Sequence, residues 1–216
     1  MKKWAFVSDF DGTISKKDFY HLVLEKYFNE GKALFKQWKA GDMKDIDFLR
    51  TVFTSIHQDE TQIIEDIHSI EIDDHVPSFI RKVQAHGGDF YILSAGTDYY
   101  IKHILKQHGI EDVRVYSNEG YYKEKNVHMN IDPEHPHYSN RYGIDKSKVI
   151  IELKEQYKTI YFAGDSEPDR HAAKVADVNF AIKALQKILE ESRTPFIDVN
   201  DFHDIDHYMT GQGILT

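Results

Sequence analysis

Asp9-Phe10-Asp11-Gly12-Thr13 sets two carboxylates two residues apart, directly after the run Lys3 to Ser8, which reads as a short buried strand. Residues two apart in a strand face the same side, so both carboxylates can converge on one point. One could attack phosphorus while the other serves as acid and then as base. Gly12 permits a sharp turn that brings backbone N–H groups near an oxyanion, and Thr13 adds a hydroxyl donor. Alone, the pentapeptide also reads as an Asp-Gly turn with helix-capping aspartates.

Three further sites along the chain supply partners for such chemistry. Ser94-Ala95-Gly96 follows the apolar run Phe90 to Leu93, and its hydroxyl and N–H groups can hold phosphate oxygens at a helix N-terminus, although serine at such a turn can also be only a cap. Lys146 stands ahead of a helix beginning near Ser147, where an ammonium would neutralise a transferring phosphoryl group; Lys148 is a nearby competitor. Asp165 follows the run Thr159 to Ala163 and can bind a metal with Asp9. Asp169, four residues on and just after Pro168, can flank the same metal, hold Lys146, or simply favour the helix dipole.

Apart from Lys146, these residues fall after strand-like runs: Lys3 to Ser8, Asp89 to Leu93 and Thr159 to Ala163, each followed by a polar turn and a helical pattern. The rhythm predicts an α/β fold, a Rossmann-like, mostly parallel sheet flanked by helices, with ligands beyond the carboxyl ends of the strands. Further strands are expected at Val113 to Tyr116 and Asn126 to Ile131, with a hairpin at Gly120 to Lys123. Helices are expected at His75 to His86, Asp98 to His108, Ser147 to Tyr157, Pro168 to Ala176 and Ile182 to Ser192, and 132–145 reads as an ordered loop. Between the first two strands, Phe19, Leu22, Val23 and Phe28, then Leu34, Phe35 and Trp38, then Ile46, Leu49, Val52 and Phe53, then Ile63, Ile64 and Ile67 recur at helical spacing. Gly31, Gly41 and the His57 to Glu60 segment read as breaks. A crossover needs far less chain, so 15–74 reads as a small helical cap inserted after the first strand, over a core of 1–14 and 75–216.

Together, Asp9-Phe10-Asp11-Gly12-Thr13, Ser94, Lys146 and Gly164-Asp165-Ser166-Glu167-Pro168-Asp169 resemble the haloacid dehalogenase superfamily of phosphatases over roughly residues 3 to 181. That resemblance implies Asp9 as nucleophile and Mg²⁺ ligand, Asp11 as general acid/base and a ligand through its carbonyl, and Asp165 as the third ligand. It implies Thr13, Ser94, Ala95, Gly96 and Lys146 as phosphoryl-binding, with Asp169 behind the metal or holding Lys146. The insertion is similar to the cap of the phosphoserine-phosphatase-like branch. Within that branch, Ser94-Ala95-Gly96-Thr97-Asp98-Tyr99-Tyr100 and the Tyr116 to Asp145 excursion look most like the phosphatases of 2-hydroxy-3-keto-5-methylthiopentenyl-1-phosphate. Those relatives often carry a cysteine cluster ahead of the lysine, where this chain has Tyr142-Gly143-Ile144-Asp145. Phosphoserine phosphatases usually carry a glutamate where this chain has Asp18. Asp18 and Arg50 are candidate specificity residues, Arg50 either binding a second anionic group or lining a solvated helix face.

The 216 residues allow one domain with an insertion. A formal charge of −9, from 27 basic and 36 acidic residues, argues against nucleic acid as a partner and requires any phosphate site to be made locally positive. The absence of cysteine removes disulfides and thiolate chemistry. His128, His135 and His137 are a weak alternative metal cluster. With neither a secretory leader nor a membrane-length apolar run, the expected setting is the cytoplasm. Hydrolysis of a small-molecule phosphate ester is the leading function. Its alternatives are phosphoryl transfer within sugar phosphates, a phosphorylated signalling receiver, and a non-catalytic binding protein.

Overall fold

A computed structural model describes residues 2–215. Strand β1 (Lys2–Ser8) divides its side chains between two apolar layers: Trp4 and Phe6 enter one, Ala5 and Val7 the other. It is the middle of a seven-stranded sheet of order β4-β3-β2-β1-β7-β8-β9. Parallel β2 (Asp89–Thr97) and β7 (Tyr157–Gly164) flank it, with Ser8 level with Ile92 and Ala163. The ends of β1 and β7 therefore meet at one height beside the last regular stretch of β2, at the point where chain connections diverge to either side of the sheet.

Beyond β2 lies β3 (Arg114–Lys123), which turns through Glu124 and Lys125, both at positive φ, into antiparallel β4 (Asn126–Asn130). Beyond β7 lie the short parallel strands β8 (Val178–Ala181) and β9 (Ile197–Asp198). One face is covered by α5 (Val76–Ala85), α6 (Asp98–Gln107) and α10 (Phe202–Gly211), the other by α7 (Lys146–Lys154), α8 (Arg170–Ala173) and α9 (Ala184–Glu191). The expected mostly parallel α/β architecture is present.

Several boundaries differ from the sequence reading. β3 runs unbroken through Ser117-Asn118-Glu119-Gly120, which looked like a gap because it is polar. Buried Asn118 instead donates to the carbonyls of Ala95 (2.9 Å) and Tyr142 (3.0 Å), so it ties two site loops to the sheet. The strands β8 and β9 and helix α10 were not foreseen; strands of four and two residues are too short to show a period. Segment 132–145 carries a small ladder, β5 (Tyr138–Ser139) with β6 (Gly143–Ile144).

Between β1 and α5 stand α1 (Phe19–Lys26), α2 (Gly31–Lys39), α3 (Asp45–Phe53) and α4 (Glu60–His68), with breaks near the expected positions. The chain enters and leaves this region side by side. Lys16 N–H donates to Glu71 O and Asp73 N–H to Ile14 O, both at 2.9 Å. Helix α4 packs against α6, so the region is anchored on the sheet's helical layer as well as at its two connections. No helix among the described residues is long and apolar enough to cross a membrane.

Phe6 is the most connected ring of the core. It stacks on Phe90 at 5.4 Å and meets Phe79 edge-on at 4.9 Å, with Phe180 and Phe202 at 5.9 and 6.2 Å. Phe6→Ala is expected to lower the unfolding free energy by about 3–5 kcal/mol through lost transfer energy and the cavity left behind. Urea unfolding with an unchanged m-value checks it; a loss below about 1 kcal/mol would mean that the core collapses around the site.

Candidate active site

Asp9 follows β1 directly, and its N–H donates to Ala163 O at 2.9 Å, which locks the loop to β7. The chain then leaves the strand: the N–H groups of Thr13, Ile14 and Ser15 all point to Phe10 O, at 3.3, 2.9 and 2.9 Å. Both carboxylates line one cavity, but a turn brings them there rather than strand alternation. Gly12 also has a different use from the one expected. Its N–H donates to Ser15 Oγ, and at φ +78° a Cβ there would lie 2.4 Å from Asp165 Oδ2. Glycine is thus required for the loop to touch Asp165.

Lys146 joins the halves of the site. Asp145 caps α7 by accepting from Ser147 N–H at 3.0 Å, which sets Lys146 on the first turn facing inward. Lys146 is 4% exposed, and its ammonium donates to Asp9 Oδ1 and Asp169 Oδ1, each at 2.6 Å. Lys148 points elsewhere, to Tyr138 O. The second oxygen of Asp169 accepts the N–H groups of Asp165 (3.0 Å) and Ser166 (3.1 Å), closing a capping box with Ser166. Thr13 Oγ1 donates to Asp9 Oδ2 at 3.4 Å.

Carboxylate oxygens of Asp9, Asp165 and Asp169 lie within 4.8 Å of one another. Those of Asp169 are already taken by Lys146 and two amides, which leaves Asp165 and the Asp9 Oδ2 atom, with its one long contact from Thr13, to hold a cation. Asp165 Oδ1 is buried with no hydrogen-bond partner. Burial, then Asp169, pushes the Asp165 carboxyl up to about 7. Burial and Asp169 likewise hold Asp9 well above the carboxylate range despite Lys146. Burial alone would lower Lys146, but Asp169 and Asp9 raise it, so it stays charged. Three buried carboxyl groups share one buried ammonium, and one Asp165 oxygen is left without a donor. A hard divalent cation fits that deficit.

Asp11 is held in another way. Its Oδ2 accepts from the Tyr100 hydroxyl and from Ser94 Oγ at 3.2 Å, and its Oδ1 from Phe19 N–H at 3.4 Å. Burial, then Asp18, pushes it up to about 7. Ser94 is not the cap of α6. Thr97 fills that position by accepting from Tyr99 N–H, which leaves the Ser94 hydroxyl for Asp11.

The cavity measures about 610 Å³ and takes in Asp9, Asp11, Ser94, Ala95, Gly96, Lys146 and Asp165. Asp18 lines it; Arg50 is exposed on α3 and does not. Arg141 stands on the wall instead, its Nε 2.8 Å from Asp45 Oδ2 and its carbonyl accepting Ile46 N–H at 3.0 Å. That pair ties the β5–β6 turn to the start of α3. Tyr20, Trp38, Leu49 and Phe53 supply apolar wall, and Lys183, at φ +49°, donates to Gly12 O and lies 3.7 Å from Asp165 Oδ2. The sequence reading missed Arg141, Tyr100 and Lys183. Only Tyr100 carried a signal, its place in the first turn of a helix that starts at a site loop. His128 stacks on Tyr121, and His137 pairs with Glu152 at 2.7 Å. Among the described residues, the three histidines form no cation-holding group.

Removing the shared ammonium leaves facing carboxylates unpaired. In the presence of a chelator, Lys146→Met is expected to cost about 3–5 kcal/mol of stability. Adding Asp9→Asn should recover part of it, with a coupling of about 1–3 kcal/mol in a double-mutant cycle followed by urea unfolding. Strict additivity would show that the pair contributes nothing jointly.

Comparison with known proteins places the chain clearly. The family model described as "Putative Phosphatase" matches residues 5–191. A 2-hydroxy-3-keto-5-methylthiopentenyl-1-phosphate phosphatase of Bacillus cereus is 29% identical over 205 residues, covering 91% of this chain and 91% of that protein. A protein of the same name from Bacillus velezensis is 26% identical over 214 residues, covering 92% and 86%. In fold, the chain is similar to a phospho-aspartyl intermediate analogue of phosphoserine phosphatase, with TM-score 0.70 and 20% identity over 96% of this chain and 99% of that one. A had family hydrolase from Salmonella enterica serovar Typhi gives TM-score 0.74 at 15% identity, covering 92% of this chain and 68% of that one.

Proposed function

The chain belongs to the "Putative Phosphatase" family, and from that premise we propose that it hydrolyses a small phosphomonoester through an aspartyl phosphate on Asp9. The resemblance to haloacid dehalogenase phosphatases of the phosphoserine-phosphatase-like branch is borne out by relatives in sequence and in fold.

One observation carries the mechanism. Two carboxylates line one cavity in unlike settings, Asp9 against the Lys146 ammonium and Asp11 among hydroxyl and amide donors. A carboxylate kept beside a cation suits attack, and a carboxyl that burial and Asp18 push up to about 7 suits holding a proton near neutral pH. An Asp9 oxygen attacks phosphorus as the ester P–O bond breaks, and the departing oxygen takes the Asp11 proton and leaves as an alcohol. Asp11, now a carboxylate, accepts a proton from the water that attacks the acyl phosphate. The P–O bond to Asp9 then breaks and phosphate is released. Thr13, Ser94, Ala95, Gly96 and Lys146 bind the phosphoryl oxygens, and Asp169 holds Lys146 in place.

Asp9, Asp165 and the Asp11 carbonyl would hold Mg²⁺, which supplies positive charge against the phosphate dianion and the carboxylate cluster. Residues 15–74 act as a cap on a core of 1–14 and 75–216, and the cap reads the leaving group. Tyr20, Trp38, Leu49 and Phe53 give that side of the cavity an apolar, largely aromatic surface. This suits the methylthio end of the substrate after which the Bacillus relatives are named. Asp18 offers a carboxylate to an amine, which keeps phosphoserine as the second substrate to try.

A panel of phosphomonoesters including both compounds should give Mg²⁺-dependent phosphate release. Asp9→Asn should abolish that release while the fold persists, and near-normal turnover would sink the nucleophile assignment. Asp11→Asn should slow turnover by about 10²–10⁴-fold. Saturating Mg²⁺, at about a hundred times its Kd, should stabilise the protein by about 2.7 kcal/mol. Asp165→Asn should lose that shift; if it keeps the shift, the cation sits elsewhere.

A further inference from the structure

Tyr100 is 2% exposed, and its ring packs among Phe19, Phe10 and Phe53 at centroid distances of 4.9, 6.1 and 6.3 Å. A phenylalanine would fill that aromatic nest equally well, so packing does not explain the hydroxyl. A buried phenol needs a partner for its O–H, and this one donates to Asp11 Oδ2. Space for it depends on residue 96 being glycine, since a Cβ there would lie 1.7 Å from the Tyr100 oxygen. The same Asp11 oxygen accepts from Ser94 Oγ at 3.2 Å. Oδ1 has only the long contact from Phe19 N–H at 3.4 Å.

The two oxygens of Asp11 are therefore unequal. Oδ2 is occupied by two donors and has little room for a proton of its own, whereas Oδ1 is free to carry one. We propose that Tyr100 is a positioning residue for proton transfer: its hydroxyl pins Asp11 Oδ2, so that Oδ1 carries the proton delivered to the leaving oxygen. The Oδ1–H bond breaks as the ester P–O bond breaks, the alcohol takes the proton, and Tyr100 keeps its own proton throughout. This rests on Asp11 being the acid, and it assigns to a tyrosine outside the phosphate-binding loops a part in the half-reaction that expels the alcohol.

The chemistry predicts a dependence on the leaving group. An alkoxide needs protonation to depart, whereas p-nitrophenolate departs without it. The value of kcat/KM reports steps up to release of that first product, so it isolates the half-reaction. Wild type, Tyr100→Phe and Asp11→Asn are compared on p-nitrophenyl phosphate and on the best alkyl ester of the panel. Tyr100→Phe should lower kcat/KM about tenfold on the alkyl ester and less than about twofold on p-nitrophenyl phosphate. Asp11→Asn should show the same selectivity with a larger loss. An equal fall on both substrates in Tyr100→Phe would reduce Tyr100 to a packing role and overturn the proposal, as would no fall on either while Asp11→Asn stays selective. If Asp11→Asn itself shows no selectivity, the acid assignment fails and the proposal falls with it.

Discussion

The ammonium of Lys146 is the constraint on which the site depends. It sits between Asp9 and Asp169 at 2.6 Å from each, shielded from water, and those carboxylates belong to the ends of β1 and of the β7 loop. Removing a charge from water is costly, and here the cost is met only because both partners are fixed by other bonds. Asp169 is pinned by two backbone amides, Asp9 by the Ala163 carbonyl through its own N–H, and Lys146 by the Asp145 cap on α7. Charge, cap and strand register thus specify one another. A shift of one residue in β1 against β7 would separate all three groups.

This lock also explains why a chain of net charge −9 can address a phosphate. The bulk charge opposes an anionic ligand, but the field within the cavity is set by groups within a few ångströms. There, buried carboxylates outnumber the one buried ammonium, so without a further cation the site would repel a phosphate dianion. Under the proposed function, the same excess suits a hard metal with its phosphate ligand.

How much of this was legible follows from how local each feature is. Asp9, Asp11, Ser94, Asp165 and Asp169 were found because each stands where an apolar run yields to a polar turn, and Lys146 because it leads into a helical pattern, signals confined to a few residues. Arg141 was not, since it is defined by Asp45, 96 positions away, and nothing periodic links the two. Arg50 looked plausible by residue type on a helix that does border the cavity, but its position on that helix faces solvent. The polar stretch in β3 was misread as a gap because propensity prices a buried asparagine by its type, not by the two carbonyls it satisfies. Gly12 was recognised as special for its turn, while its other requirement, contact with Asp165, exists only after folding.

The arrangement around Asp11 couples this proposed proton donor to the helical region between β1 and α5. Phe19 N–H, one of its donors, is the first residue of α1, and the Phe19 ring packs on Tyr100, which donates to the other oxygen. Any displacement of α1 relative to α6 would therefore change both hydrogen bonds together. Asp9 has no such link; its partners lie on β7, α7 and its own loop. The proposed nucleophile is built onto the end of the sheet, and the proposed acid is strung between the sheet's helical layer and the inserted helices. In the proposed two-step hydrolysis, that division would leave the attacking atom fixed while the group that must first give and then take a proton responds to whatever fills the cavity.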